Sequence, residues 1–448
     1  MTPALSPELL EAASRSIEAQ LGLHFPPERW NDLERGLRGA AEELGFASVD
    51  ACAQQLVLAK LGRAQVDALA AHLTIGETYF FRDPAAFNVL ASDVLPEIVR
   101  EKRGREKSLR IWSAGCCTGE EAYSLAITVR QAIPDLDGWQ LTILATDINP
   151  RFLHKAAAGV YGAWSFRGVP EAVRQAWFRP VPQGRFEIAP SIRRMVTFSC
   201  LNLVGDVYPA LANHTNAMDL IFCRNVLMYF SREQLRRVVT KLNRSLNEGG
   251  RLVVIATESS REWFADFTPA ELPGIALFRK GTLSPEIAPT APAIVPDAPP
   301  RAIETPAPLA TTAPQIVAPT DAEDARRLAN AGRFADALAA CDRALAADKL
   351  VAAHHYLRGV ILHEQSALDE AAAALQRALY LDPNFALAHF ALGHLRLRQS
   401  RADDALRCFA NARGALRGCA PECVLPEADG ITAGRLLEIL ASMQEAIA

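Results

Sequence analysis

Residues 109–127 read LRIWSAGCCTGEEAYSLAI. An apolar run rich in strand formers ends at Gly115, a short turn carries Gly119, and apolar residues at helical spacing follow. A strand that turns into a helix through glycines leaves room for a ligand at the carboxyl edge of a sheet, the usual place for a nucleotide-type site. Working outward, LTILATD (141–147), MVTFSC (195–200), DLIFCRN (219–225), RLVVIAT (251–257) and ALFRK (276–280) alternate with helical stretches. That alternation predicts an α/β fold with a mostly parallel, Rossmann-like sheet flanked by helices.

The second of these strands ends at Asp147, 28 residues after Gly119. A carboxylate there can accept from both hydroxyls of a ribose, which admits either NAD or S-adenosylmethionine. The glycine spacing is not G-x-G-x-x-G, and the plainer role for Asp147 is to cap a helix starting near Pro150.

On the amino-terminal side, residues 1–75 predict a small helical domain, with Leu56, Ala59, Leu61, Val66 and Leu69 near helical spacing. On the other side, ten prolines fall within residues 285–319, with three acidic residues and one arginine. Proline fixes φ and removes a donor, so 283–320 reads as a semi-rigid linker that leaves its flanks free to move independently. Beyond it Ala337, Ala371 and Ala405 recur 34 residues apart, as do Ala344, Ala378 and Ala412, and Gly359 pairs with Gly393. Three helix-turn-helix units near 318–351, 352–385 and 386–419 resemble the tetratricopeptide family, whose stacked helix pairs offer a groove for a protein or peptide. The first unit has Lys349 where that family's turn proline would sit, and 420–448 predicts a capping helix, giving an all-α module over 321–448.

The 448 residues carry 47 Lys+Arg against 51 Asp+Glu, a net charge of −4, and half are hydrophobic. This balance argues against disorder and against nucleic acid as partner. No apolar run approaches the roughly 20 residues of a membrane span, and the amino terminus has no signal-peptide pattern. Nine cysteines without paired CxxC spacing read as reduced thiols, so a cytoplasmic location is expected and no metal is assigned. Cys116 and Cys117 could be redox-sensitive, but small cysteines filling a tight turn are the commoner case. The basic run 100–107 reads as a solvated helix end.

Five motifs taken together carry a closer resemblance. LTIGETYFFRDPAAF (73–87), IWSAGCCTGEEAYSLAI (111–127), ATDINPRFLHKAAAGVY (145–161), LNL (201–203) and DLIFCRNVLMYF (219–230) resemble, in order, the CheR-type chemoreceptor glutamate methyltransferases, over about residues 10–280. The resemblance implies an S-adenosylmethionine-dependent catalytic domain over 76–282, with a small β-subdomain at about 162–198, methylating glutamates in the cytoplasmic domain of a chemoreceptor and releasing S-adenosylhomocysteine. It places cofactor contacts on Thr78, Arg82, Glu121, Asp147, Asn202, Leu203, Arg224 and Asn225. The sequence departs from the family at Gly76, where asparagine is usual, so one polar contact is missing.

A glutamate carboxylate, ionised at neutral pH, needs no general base to attack a sulfonium methyl. What the chemistry requires is in-line positioning with water excluded, and Arg82 and Tyr229 are the candidates for orienting the acceptor. Outside the motifs, Tyr229 would read as a core-edge aromatic and Arg82 as a surface ion pair. Two other classes remain: a scaffold that keeps the fold but acts through its repeats, and an NAD-dependent oxidoreductase, which lacks its phosphate fingerprint.

Overall fold

The computed structural model describes residues 5–102, 107–281, 320–399 and 401–447. The linker expected over 283–320 lies outside the described residues except for Thr320, as does much of the basic run at 100–107. Among the described residues no helix is long and apolar enough to cross a membrane.

Four helices open the chain: Pro7–Leu21, Trp30–Glu43, Val49–Leu58 and Arg63–Leu73. They enclose a core of their own that includes Ile17, Leu33, Leu37 and Leu69. Leu56 and Leu69, both at helical spacing in the sequence, fall on separate short helices, because Ala59 leaves the first at extended φ and ψ and Gly62 starts the next.

Ten strands follow: β1 Ser108–Ala114, β2 Gln140–Asp147, β3 Val160–Tyr161, β4 Phe178–Val181, β5 Arg185–Ile188, β6 Val196–Cys200, β7 Met218–Phe222, β8 Leu246–Val254, β9 Phe267–Ala270 and β10 Ala276–Lys280. Seven form one sheet in the order β6-β2-β1-β7-β8-β10-β9, with parallel pairing from β6 to β8 and an antiparallel β10. Chain order reverses at β1, which lies between β2 and β7, and this opens a crevice at the strands' carboxyl ends. The smaller sheet, β3-β5-β4, is antiparallel. It runs from Val160 to Ile188, and residues from Val196 belong to the large sheet, so the stretch 162–198 read from sequence starts after β3 and runs into β6. Phe80 ties this sheet to the TYFFR segment by packing against Tyr161, Phe166 and Phe178 at 4.7–5.0 Å between ring centroids.

Three helix pairs form the carboxyl-terminal stack: Asp321–Asn330 with Phe334–Ala347, Ala352–Glu364 with Leu368–Leu381, and Ala386–Arg398 with Ala402–Ala415. A seventh helix, Ala433–Ile447, follows. The 34-residue glycines mark the tightest crossings: a Cβ on Gly359 would lie 2.7 Å from Leu375 Cγ, and one on Gly393 would strike the Phe409 ring.

The expected independence of the repeats is not what the structure shows. Leu211, Ala212 and Ala217 of the α/β part share one apolar cluster with Ala329, Leu357 and Leu395 of the stack. Arg110, at the amino end of β1 and 3 % exposed, pairs with Glu364 of the repeats and also reaches the carbonyls of His214 and Asn216. Although burial pushes Glu364 up, Arg110 and then His214 hold it well below the carboxylate range. Burial pushes His363 beside it down to about 3. The proline-rich composition pointed to mobility, but a spacer does not prevent its flanks from packing when both carry matching apolar faces.

Candidate functional site

The carboxyl ends of β6, β2, β1 and β7 and the TYFFR segment open onto one cavity of about 350 Å³, within the range of small-ligand sites. From the TYFFR segment it is lined by Thr78 and Arg82. Glu121 follows β1, Asp147 ends β2, and Asn202 and Leu203 follow β6. Arg224, Asn225 and Tyr229 come from the segment after β7. All nine residues singled out in the sequence therefore face one space.

Asp147 does not cap the next helix. Asn149 does so, accepting from Arg151 N and Phe152 N at 3.0 and 3.4 Å, while Asp147 accepts from Cys117 N and Asn149 N at 2.9 Å each. Each carboxylate oxygen thus keeps acceptor capacity toward the cavity. Burial pushes Asp147 up to about 6, against the pull of the Asn149, Cys117 and Ile148 amides. Glu121 accepts from Ser113 Oγ at 2.8 Å; burial raises it, and Arg224 and Arg82 oppose.

Arg224 is 3 % exposed at its side chain. Nη1 donates to Arg82 O and Nη2 to Asp83 Oδ2, both at 2.9 Å, so this buried guanidinium fixes the backbone that carries Arg82. Its Nε is buried with no partner among the described residues. A buried donor left unpaired is uncommon and costly, and it marks where an acceptor belongs. Arg82 is not in a surface ion pair: Nη1 donates to Glu77 O at 2.6 Å, and the guanidinium lies 5.9 Å from the Tyr79 ring.

Tyr229 is partly buried, its ring 5.6 Å from the Arg29 guanidinium. Burial raises its hydroxyl, with Arg29 and then Arg82 opposing, so it stays a neutral donor. Asn202 is less free than its sequence suggests: Oδ1 accepts from Val204 N and Gly205 N, and Nδ2 donates to Gln20 O at 3.2 Å.

Backbone strain gathers around the cavity. Phe81, Asp83, Cys117 and Asn225 all have φ between 50° and 67°, a conformation that side chains other than glycine adopt only when their surroundings hold them. Glu258, which the sequence reading missed, supplies one such hold: 2 % exposed, it accepts from Asn225 N and Met228 N at 3.1 Å each. The reason for Gly115 also differs from expectation. At φ 83° its missing Cβ makes way for the Val226 side chain rather than for a ligand. At Gly76 a Cβ would lie 3.0 Å from the Phe152 ring, which itself lines the cavity. Burial, then Asp147, pushes Cys117 up to about 12, and Cys116 is also raised by burial, so neither is a ready thiolate.

Residues 76–271 match the family described as CheR methyltransferase, SAM binding domain, and residues 323–384 match the tetratricopeptide repeat. The chain is 32 % identical over 383 residues to the probable biofilm formation methyltransferase WspC of Pseudomonas aeruginosa, covering 79 % of this chain and 87 % of that one. It belongs to the CheR methyltransferase family. A chemotaxis protein methyltransferase of Vibrio parahaemolyticus is 33 % identical over 55 % of this chain and 87 % of its own length. Chemotaxis protein methyltransferase 1 of Pseudomonas aeruginosa is 36 % identical over 49 % and 78 %. As a CheR-family enzyme the chain is an S-adenosylmethionine-dependent protein-glutamate O-methyltransferase of chemosensory signalling. Its cavity fits the cofactor on chemical grounds: Asp147 has free acceptor sites for ribose hydroxyls, and the unpaired Nε of Arg224 suits a carboxylate.

Proposed function

We propose that Asp147 receives the ribose hydroxyls, that Leu203 and the Asn202 backbone border the adenine, and that Arg224, Thr78, Glu121 and Asn225 hold the amino-acid end of S-adenosylmethionine. Arg82 and Tyr229 then orient the acceptor glutamate. The cofactor supplies an electrophilic methyl group on a sulfonium. A glutamate oxygen forms the new O–CH3 bond as the C–S bond breaks, leaving a neutral thioether, and no proton changes hands. This is why the site needs no general base. Arg82 supplies positive charge and Tyr229 a neutral hydroxyl donor, which positions a carboxylate without burying it in a tight ion pair that would blunt its attack. The observation that carries this reading is the meeting of both residues, with Asp147 and Arg224, around one cavity at four strand ends.

The substrate proposed is the cytoplasmic domain of a chemoreceptor, methylated in the cytoplasm. The repeats, over residues 321–448, are proposed to bind a protein of the same pathway, joined through 283–320 to a catalytic part over 76–282 and a helical part over 1–75. The relative matched across both modules is named for biofilm formation and those matched over the catalytic part for chemotaxis, so a receptor controlling a surface-associated output is favoured.

Steady-state methylation of a receptor cytoplasmic fragment tests the roles. Arg82→Ala and Tyr229→Phe are expected to lower kcat/KM for the receptor by about tenfold or more, the loss of one positioning hydrogen bond. S-adenosylhomocysteine affinity should fall less, and for Tyr229→Phe hardly at all. Wild-type kcat/KM in both variants would contradict the assignment.

A further inference from the structure

The helix Ala433–Ile447 does more than end the stack: it packs against β6 and the helix Pro150–Ala158, two elements that border the cofactor cavity. From its first turn Arg435 reaches into the α/β part. Nη2 donates to Cys200 O at 2.9 Å and pairs with the carboxylate of Asp206. The same Asp206 oxygen accepts from Asn202 N at 2.6 Å. Residue by residue, the path runs from the repeat module to Arg435, to Asp206, and to the backbone of the segment after β6 that walls the cavity with Leu201, Asn202 and Leu203.

We infer that Arg435 is a positioning residue for the methyl-transfer site, through which the repeat module sets the affinity for S-adenosylmethionine. The inference rests on the proposed role of Asn202 and Leu203 as cofactor contacts.

The charges around the pair show why the contact has leverage. The side chains of Asp206 and Arg435 are 14 % and 20 % exposed. Burial pushes Asp206 up, and Arg435 is the first influence opposing it. Arg435 also meets the Cys200 thiol across the seam and Glu438 on its own helix, the latter at 2.6 Å. Lys241 feels the Asp206 charge but does not replace Arg435, because its Nζ donates to the carbonyls of Val204 and Asp206 rather than to the carboxylate. Without Arg435 the Asp206 carboxylate is left buried without its cation. It must then take a proton or turn toward water, and either change weakens the hold on Asn202 N. The chemistry itself is untouched, since neither Arg435 nor Asp206 lines the cavity. A structural staple elsewhere in the seam would alter stability alone; this one alters cofactor binding as well.

The test is S-adenosylhomocysteine calorimetry and steady-state kinetics on the full chain, comparing Arg435→Met, Arg435→Lys, Asp206→Asn, the double variant Arg435→Met/Asp206→Asn, and Asp147→Ala as reference. Arg435→Met should weaken S-adenosylhomocysteine binding and raise KM for S-adenosylmethionine about tenfold, with kcat at saturating cofactor kept within about twofold. Arg435→Lys should recover part of the loss, and in the Asp206→Asn background Arg435→Met should add little. Unchanged affinity in Arg435→Met, while Asp147→Ala abolishes binding, would overturn the inference and leave the cofactor assignment standing. Equal and additive losses in the two backgrounds would overturn it as well. Binding that survives Asp147→Ala would instead overturn the cofactor assignment. If Arg435→Met proves poorly folded, the comparison of Arg435→Lys with wild type decides: a KM equal to wild type in Asp206→Asn and in Arg435→Lys contradicts the path.

Discussion

Strands β1 and β2 are used at both ends, and the two ends solve opposite problems. At their carboxyl ends Asp147 and Glu121, with Arg224 from just after the neighbouring β7, are held near a cavity with spare capacity: Asp147 has open acceptor sites and Arg224 a Nε unpaired among the described residues. At their amino ends Arg110 is fully spoken for, by Glu364, His214 O and Asn216 O, and Gln140 donates to Gln365 O of the repeats. One end opens polar groups onto a cavity, while the other packs them into a seam, where Gln140 Oε1, Asn216 Oδ1 and His363 Nε2 are themselves buried without a partner among the described residues. A buried charge already paired with its opposite, as Arg110 is with Glu364, marks assembly, whereas Arg224 keeps a buried donor free beside a cavity of ligand size.

The largest effect is expected at the carboxyl end. Asp147→Ala removes two charge-assisted acceptors and is expected to weaken S-adenosylhomocysteine binding by at least about a hundredfold in calorimetry, while the loss of its bonds from Cys117 N and Asn149 N lowers thermal stability as well. At the amino end the signs reverse. Glu364→Ala leaves the Arg110 guanidinium buried without its carboxylate, and urea unfolding should show a loss of about 3 kcal/mol, while S-adenosylhomocysteine affinity stays near wild type. The seam also overrides the independence that the proline-rich linker suggested. A chain cut near residue 282 would expose Leu211, Ala212 and Ala217 and strip Arg110 of Glu364, so it should unfold more readily than the full chain.

Acid sharpens the contrast. His363, with a folded pKa pushed down to about 3, binds its proton more readily when unfolded, so it contributes stability above the ordinary histidine range that is lost as pH falls from about 6.5. Asp147, pushed up to about 6, works the other way: it favours the folded state at low pH, and that contribution is lost as pH rises through about 6. Its ionised form is the better acceptor for ribose, so cofactor affinity should rise from pH 5 to pH 7 while the Asp147 contribution to stability declines. Calorimetric affinity and melting temperature across that interval, in wild type and His363→Leu, separate the two. The variant should lose less stability on acidification and show the same affinity profile.

The smallest effect is expected at Gly76. Gly76→Asn restores the family's usual residue but sets a Cβ 3.0 Å from the Phe152 ring, so a gained hydrogen bond and a displaced ring nearly cancel. A change of under about 1 kcal/mol in S-adenosylhomocysteine affinity is the outcome to check.

What could be read from sequence followed periodicity and motif. The loop after β1, Asp147 at the end of β2 and the 34-residue spacing of Ala337, Ala371 and Ala405 are local patterns, and each led to the right element. What could not be read depends on residues far apart in the chain. Arg110 meets Glu364 across 254 positions, and Arg435 meets Asp206 across 229; no spacing rule joins such pairs. Glu258 carried no sequence signal because its role is to accept two backbone amides, which leaves no side-chain signature. Gly76 read as a lost contact because Phe152, which fills the space, lies two strands away in sequence.

The reaction proposed for this cavity moves a methyl group onto a glutamate carboxylate. Incubating the full chain with isotopically labelled S-adenosylmethionine and a chemoreceptor cytoplasmic fragment, then mapping the label by mass spectrometry, tests it most directly. The account predicts alkali-labile methyl esters on glutamate side chains, absent with Asp147→Ala. Label on other residue types, or none in a chain shown to bind S-adenosylhomocysteine, would contradict it.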